Sequence, residues 1–202
     1  MGEPDSSSQA EPALVGPGEI EQAPPAARRR DNALRWFLEV VVIVAAAFLL
    51  ALLVQQFVLK PYAIPSPSME PTLVQGDRVL VNRLVYHFRS PRIGDVIVFD
   101  PPGHVNGEPP LIKRVVAVGG DTVTVDDGVL WVNGVEQDEP FIKEHPIAED
   151  YPEVTIAPGY VWAMGDNRNN SGDSRMFGPV SEEDIIGEAF AIYWPLRHMR
   201  GL

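Results

Sequence analysis

The sequence predicts a mainly β protein with a single N-terminal membrane-spanning helix. The first observation is an apolar run, Trp36 to Leu59, in which polar residues are rare and lie near the ends. The second is a series of short β-branched runs, beginning at Arg78, that are separated by Gly-Asp and Asn-Gly turn signals. No long segment with a helical period follows the apolar run. We therefore expect an anchor followed by an all-β domain.

Composition excludes several functional classes. The chain has 202 residues, a formal net charge of −12 and no cysteine. An acidic chain without a visible basic face does not neutralise phosphates, so we expect no nucleic-acid partner. The lack of cysteine excludes disulfides, cysteine nucleophiles and thiolate metal sites. The hydrophobic content of 45% is sufficient to form a core.

The N-terminal region predicts a tail and an anchor. We expect residues 1–35 to form a disordered cytoplasmic tail, because most of them are Pro, Glu, Ser, Ala or Gly without a period. Residues 36–59 are long enough to cross a hydrocarbon core of ~30 Å at ~1.5 Å per residue. The run is too long for a signal peptide and too hydrophobic for a core helix of so short a chain. Arginines before the run and only Lys60 directly behind it predict a cytoplasmic N-terminus.

Short strands are predicted throughout the remainder of the chain. Thr122 to Val132 contains two β-branched runs around Asp126-Asp127-Gly128, which is a hairpin signal, and Asn133-Gly134 supplies a second turn. The segment 135–158 is acidic and punctuated by proline, which favours a loop or a small subdomain. The other predicted strands share β-branched or aromatic runs next to turn residues: Arg78 to Asn82, Asp95 to Phe99, Leu111 to Val118, Tyr160 to Met164 and Ile185 to Trp194.

The stretch from Ile64 to Asp77, IPSPSMEPTLVQGD, carries Ser66 and Ser68 between prolines shortly after the apolar run. Proline fixes its own φ and favours an extended conformation in the residue before it, so this stretch is stiff and non-helical. A hydroxyl group on such a segment is held in one position and can serve as a nucleophile. A rigid linker between membrane and domain is the alternative that these residues alone leave open.

Two adjacent cations, Lys113 and Arg114, interrupt the hydrophobic strand that begins at Leu111. Alternation places them on opposite faces, and since both have apolar neighbours it leaves open which one points inward. Arginine keeps its proton, whereas a lysine desolvated by apolar walls loses affinity for its proton and can act as a base near neutral pH. A lysine that extends its ammonium group to solvent from an edge strand is the alternative for Lys113.

Four motifs follow the anchor in a fixed order: IPSPSMEPTL with GDRVLVN, RIGDVIVF, KRVVAVGGD and GDNRNNSGDSRMFGPV. Together they resemble the type I signal peptidases of bacteria, and most closely the single-anchor forms of Gram-positive bacteria. The resemblance extends from the anchor to about Val180. It implies an all-β catalytic core of two antiparallel sheets with a small β insertion. We place the insertion at residues 122–158 of a peptidase domain that spans 60–202.

The resemblance implies a serine/lysine dyad, with Ser68 as the nucleophile and Lys113 as the general base. Ser66 corresponds to the oxyanion-hole hydroxyl, which acts together with the backbone N–H of Ser68. Ser171 corresponds to the residue that orients the lysine ammonium group. Many family members have glycine where this chain has Pro67, which removes one backbone donor but leaves that of Ser68. Charged residues that correspond to supporting positions in the polar loop are Asp166, Arg168, Asp173 and Arg175.

The implied activity is that of a membrane-bound serine endopeptidase that removes signal peptides from exported preproteins, with small residues at the first and third positions before the cut. We expect the substrate to pair in extended form near residues 64–67 and 111–113. The domain is expected outside the cytoplasm at a bacterial cell membrane, in contact with the bilayer and near the secretion translocon. No cofactor or metal is expected, because no pair of histidines has metal-ligand spacing. The alternatives are a related Ser/Lys protease that matures pilus or surface proteins, and a non-catalytic tethered β binding module.

Overall fold

The computed structural model describes residues 26–103 and 109–202, without the side chains of residues 26–32 and 55–57. Residues 1–25 of the predicted tail lie outside the described residues. Helix α1 spans Ala26–Phe57. It begins earlier than Trp36, so residues 26–35 are helical and do not form part of a disordered tail. The hydropathy pattern located the apolar run, but the arginines before it are also good helix formers and extend the helix. The part from Ala33 to Val54 is long and apolar enough to cross a membrane, and none of it is buried.

The larger sheet has eight strands, and all its pairings are antiparallel. Its path is β1-β2-β11-β3-β4-β9-β10, with β12 paired to β11. The strands are β1 (Leu59–Ala63), β2 (Arg78–Asn82), β3 (Val96–Phe99), β4 (Leu111–Val118), β9 (Tyr160–Met164), β10 (Val180–Ser181), β11 (Ile185–Trp194) and β12 (Arg200–Gly201). Strands far apart in sequence are neighbours in this sheet, and β4 lies between β3 and β9.

The smaller sheet has four antiparallel strands in the order β7-β6-β5-β8. The strands are β5 (Thr122–Asp126), β6 (Val129–Val132), β7 (Val135–Glu136) and β8 (Tyr151–Thr155). Both predicted hairpin turns form, with positive φ at Asp127 and Gly128 in the first and at Asn133 and Gly134 in the second. All four strands fall within residues 122–158. The division into domains stays a prediction.

The two sheets share apolar contacts. The inward residues of the smaller sheet, such as Val123 and Leu130, belong to one buried cluster with Val116, Trp162 and Met164 of the larger sheet. Other buried clusters cover the larger sheet on β2, β3, β4 and β11. Because β4 and β9 contribute residues to the cluster that both sheets share, packing against the smaller sheet helps to fix the position of these two strands.

The prediction of a mainly β domain after an apolar helix is confirmed. In detail, the core is one eight-stranded sheet, and the second sheet comes from the insertion. Strands β1, β7, β8, β10 and β12 were not predicted from the sequence. Strands β7, β10 and β12 have only two residues each. Strands β1 and β8 each contain a proline, Pro61 or Pro152, and each is an edge strand of its sheet, the place where a missing N–H leaves no ladder bond broken.

Candidate active site

The stretch after β1 folds into a short 3₁₀ turn, Pro67–Met69, in which Ser68 and Met69 are buried. Ile64 fixes its start, because its N–H donates to the Asp77 carbonyl (2.9 Å) and its carbonyl accepts from Gly76 (2.9 Å). Pro67 is the first residue of the turn, a position whose N–H has no partner within the turn. Proline at this position therefore costs no hydrogen bond of the turn and sets its φ.

Three predicted site residues meet at this turn. Lys113 is 3% exposed, and its Nζ lies 2.8 Å from Ser68 Oγ. Lys113 Nζ also donates to the Ile112 carbonyl (2.9 Å). Both hydrogen-bond partners of the lysine, the Ser68 hydroxyl and the Ile112 carbonyl, are uncharged. Ser66 Oγ lies 3.3 Å from Ser68 Oγ. The inward residue of the strand is thus Lys113, which the alternation pattern alone did not decide.

Burial lowers the pKa of Lys113 to about 8, and the charges of Asp173 and Asp166 oppose this shift. Both carboxylates are paired with arginines: Asp173 with Arg175 (2.9 Å) and Asp166 with Arg114 (2.8 Å). Among the described residues, the lysine ammonium group therefore has no direct counter-charge and is desolvated by burial. A substantial fraction of Lys113 is neutral near pH 8 and can accept the Ser68 proton.

The polar segment from Gly165 to Asp173, termed the catalytic loop, lies against the 3₁₀ turn Pro67–Met69, termed the nucleophile turn after the proposed role of Ser68. The N–H of Asn167 donates to the Ser68 carbonyl (3.0 Å), and its Nδ2 donates to the Pro67 carbonyl (3.1 Å). A Cβ at Gly165 would lie 2.4 Å from the Ser68 carbonyl oxygen, so only glycine permits this approach. The sequence motif contains Gly165 and Asn167, but their contacts with the nucleophile turn depend on the fold and are not indicated by the motif itself.

The charged residues of the loop are buried and paired. Asp173 accepts from the N–H of Gly165 (3.1 Å) and from Arg175. Asp166 forms a two-point ion pair with Arg114, which also stacks on Phe141 with its Cζ 4.3 Å from the ring centroid. Arg114 thus lies on the opposite face of β4 from Lys113 and holds the loop.

Arg168 is fully buried and pairs with Glu139 of the insertion through both carboxylate oxygens, at 2.5 and 2.6 Å. Sequence reasoning missed Glu139, because it lies in a segment whose motifs were uninformative. Its partner became evident only in the fold.

Ser171 is near the site, but no hydrogen bond joins its hydroxyl group to the lysine. Its Oγ is buried without a hydrogen-bond partner among the described residues. The residue lies against Gly165, since a Cβ there would be 2.3 Å from Ser171 Oγ. Its role in orienting Lys113 stays a prediction.

A mostly apolar cleft of about 610 Å³ opens over the serines. It is lined by the nucleophile turn, by Leu111 and Lys113 of β4, and by Met176 and Phe177. Along β4 the pairing with β9 begins only at Arg114, so within residues 26–103 and 109–202 no strand pairs with the backbone of residues 111–113 on that side. Such an edge can bind an extended peptide. Within residues 26–103 and 109–202, no group of three or more His, Asp or Glu residues could hold a metal ion.

The chain is similar in sequence to known proteins. A family model described as "Signal peptidase, peptidase S26" matches residues 36–194. The chain is similar to a probable signal peptidase I-1 of Synechocystis sp., with 45% identity over 152 residues, 72% of this chain and 76% of the relative. Signal peptidase I of Leptolyngbya laminosa is 37% identical over 88% of this chain and 91% of the relative. Signal peptidase IB of Staphylococcus aureus is 35% identical over 85% of this chain and 94% of the relative.

Proposed function

The chain belongs to the signal peptidase family, peptidase S26, and we propose that Ser68 and Lys113 are the nucleophile and the general base with which it cleaves its substrates. The predictions of a type I signal peptidase, and of a hydrolase that cleaves signal peptides from preproteins, are confirmed by relatives that match most of the chain. One observation carries the proposal. A buried lysine, which has no direct counter-charge in the part of the chain that the structure describes, lies 2.8 Å from a serine hydroxyl in an open cleft.

The proposed reaction proceeds in two acyl-transfer steps. Lys113 Nζ takes the proton of Ser68 Oγ as this oxygen forms a bond to the scissile carbonyl carbon. The oxyanion accepts hydrogen bonds from the Ser68 N–H and from the Ser66 hydroxyl. When the C–N bond breaks, Lys113 returns the proton to the leaving amine. Lys113 then takes a proton from water as the water oxygen attacks the acyl carbon. When the bond between this carbon and Ser68 Oγ breaks, Lys113 returns that proton to Oγ, which restores the serine hydroxyl and the neutral lysine.

The shape of the cleft supports an extended substrate. The free backbone edge at residues 111–113 offers strand addition, and the apolar lining offers contacts for side chains of the signal peptide. We propose that shallow pockets here select small residues at the first and third positions before the cut.

The membrane topology is part of the proposal. Arginines lie in the first part of helix α1, before its apolar run, and Lys60 follows the helix, which supports a cytoplasmic N-terminus and an extracytoplasmic peptidase domain. The substrates would then meet the enzyme at the bilayer, after passage through the secretion translocon.

The proposed nucleophile is tested with the purified full-length chain in detergent and a secretory preprotein. Ser68→Ala should leave no product above background, whereas Ser90→Ala, an equivalent change at an exposed serine, should cleave like the unmodified chain. Product N-terminal sequencing locates the cut. Cleavage by Ser68→Ala at an undiminished rate would exclude Ser68 as the nucleophile. Absence of cleavage by the unmodified chain would instead favour a binding module or different substrates.

A further inference from the structure

We propose that residues 139–148 of the insertion, termed the bracing segment, position the catalytic loop for the reaction, with Glu139 as the positioning residue. The inference rests on the proposed Ser68 and Lys113 dyad. It gives a catalytic purpose to a stretch outside the sequence motifs that identify the active site.

The strongest contact is the ion pair between Glu139 and Arg168. Glu139 is 6% exposed and Arg168 is 2% exposed. The two carboxylate oxygens accept from Nη1 and Nη2 of the guanidinium group, so the pair is held at two points. The Nε of the same guanidinium group donates to the Gly165 carbonyl (2.9 Å). Arg168 is thus fixed between the bracing segment and the first residue of the catalytic loop.

Other contacts of the bracing segment reach the same loop. The N–H of Lys143 donates to the Asp166 carbonyl (2.9 Å). The N–H of Ala148 donates to Asn169 Oδ1 (2.8 Å), and Asn169 Nδ2 donates back to the Pro146 carbonyl (3.2 Å). The bracing segment therefore holds Asp166, Arg168 and Asn169, the residues on either side of Asn167.

Asn167 connects the catalytic loop to the nucleophile turn. Its two hydrogen bonds to the Ser68 and Pro67 carbonyls are the link between loop and turn. A displacement of the loop therefore moves the Ser68 carbonyl and, with it, the orientation of the hydroxyl group. Misplacement by about 1 Å is sufficient to lower a rate by roughly 100-fold.

The same loop sets the electrostatic environment of Lys113. Asp166 and Asp173 are the carboxylates whose charges raise the lysine pKa against burial. A loosened loop moves these charges away, and an Arg168 without Glu139 leaves an uncompensated positive charge nearby. Both effects favour the neutral lysine. Loss of Glu139 should therefore lower the Lys113 pKa further, an effect that a purely structural contact would not produce.

The test uses Glu139→Gln in the full-length enzyme. It keeps the size of the side chain and removes the charge. With a secretory preprotein, we expect kcat at alkaline pH, where activity no longer rises with pH, to fall about 10- to 100-fold. KM should change less than about twofold. The acid limb of the pH profile, the range in which activity falls as pH decreases, should move to lower pH. Glu144→Gln, the same chemical change at an exposed position of the bracing segment, should match the unmodified enzyme in all three quantities.

Folding is separated from positioning by a melting curve and by Glu139→Asp. The aspartate keeps the buried charge but is one methylene too short for the two-point pair, so it should show a smaller fall in kcat at near-normal thermal stability. A kcat within twofold of the unmodified enzyme for both variants would overturn the inference. A fall in kcat that follows the melting temperature, with the acid limb unmoved, would also overturn it. The dyad is tested separately, by cleavage with the unmodified enzyme and its loss in Ser68→Ala.

Discussion

The two faces of strand β4 place two neighbouring cations, Lys113 and Arg114, in opposite environments. On one face of β4, Lys113 is buried beside Ser68 and an uncharged carbonyl, and burial lowers its pKa to about 8. On the other face, Arg114 forms a two-point ion pair with Asp166 and stacks on Phe141. The two residues have nearly the same sequence surroundings.

The difference shows how a strand can carry both a reactive and a supporting cation. Lysine is a point charge whose proton is lost when water is removed and no counter-charge is supplied. Arginine keeps its charge, so it can act only through its fixed fork of donors and its planar surface. The Lys113 face therefore carries the proposed base, and the Arg114 face holds the catalytic loop.

Exchange of the cation on the reactive face should have the largest effect. Lys113→Arg keeps the charge but cannot release a proton, so we expect kcat to fall by at least about 10³-fold. Preprotein cleavage by the purified variant measures this, with thermal melting to confirm that it folds. Lys60→Arg, at an exposed position after α1, is the control. Retained cleavage would show that position 113 is not the base.

The pH profile should report the same lysine with a smaller effect. Only neutral Lys113 accepts the Ser68 proton, so kcat/KM should fall tenfold per unit as pH decreases below the pKa. With a pKa of about 8, activity at pH 6 should be about 100-fold below the alkaline plateau. Initial rates with a peptide substrate, measured between pH 5 and about 10, show this decrease in kcat/KM. A profile without an acid limb would contradict a lysine base.

The reciprocal exchange on the supporting face should have the smallest effect. Arg114→Lys keeps the charge but loses one arm of the pair with Asp166 and the stacking on Phe141. We expect a loss of about 1–2 kcal/mol in the free energy of unfolding and a fall in kcat of only a few fold. Denaturant unfolding and preprotein kinetics provide the two values.

Arg92→Lys, at an exposed arginine, is the matched control for this exchange. If Arg114→Lys proved as inactive as Lys113→Arg while remaining folded, the separation of roles between the two faces would be wrong.

Much of the fold could be predicted because strand signals are local. The bounds of β4, β9 and β11 agree with the predicted runs, and both hairpin turns form at the predicted Gly-containing positions. Of the strands that were missed, β7, β10 and β12 have only two residues each, and β1 and β8 contain proline, which lowers strand propensity except at a sheet edge. Whether a segment lies at an edge depends on the pairing of distant strands, and no local pattern reports it.

The candidate site was predicted in part. Ser66, Ser68 and Lys113 come together as the motif order implied. The links made by Asn167 and Glu139 were missed, because both depend on which segments meet after folding. Ser171 has a buried hydroxyl without a partner among the described residues, so its proposed contact with Lys113 still needs a test.

The sequence alone determined the apolar helix, the β class of the domain and the identity of the motif residues. These properties follow from side-chain chemistry and from periods of a few residues. Tertiary structure decided which of Lys113 and Arg114 is desolvated, because the residues that pack on each face of β4 come from distant segments. The nucleophile turn packs on the lysine, and Phe141 and Asp166 contact the arginine. Burial sets the lysine pKa, so the reactivity of this site is a property of long-range packing.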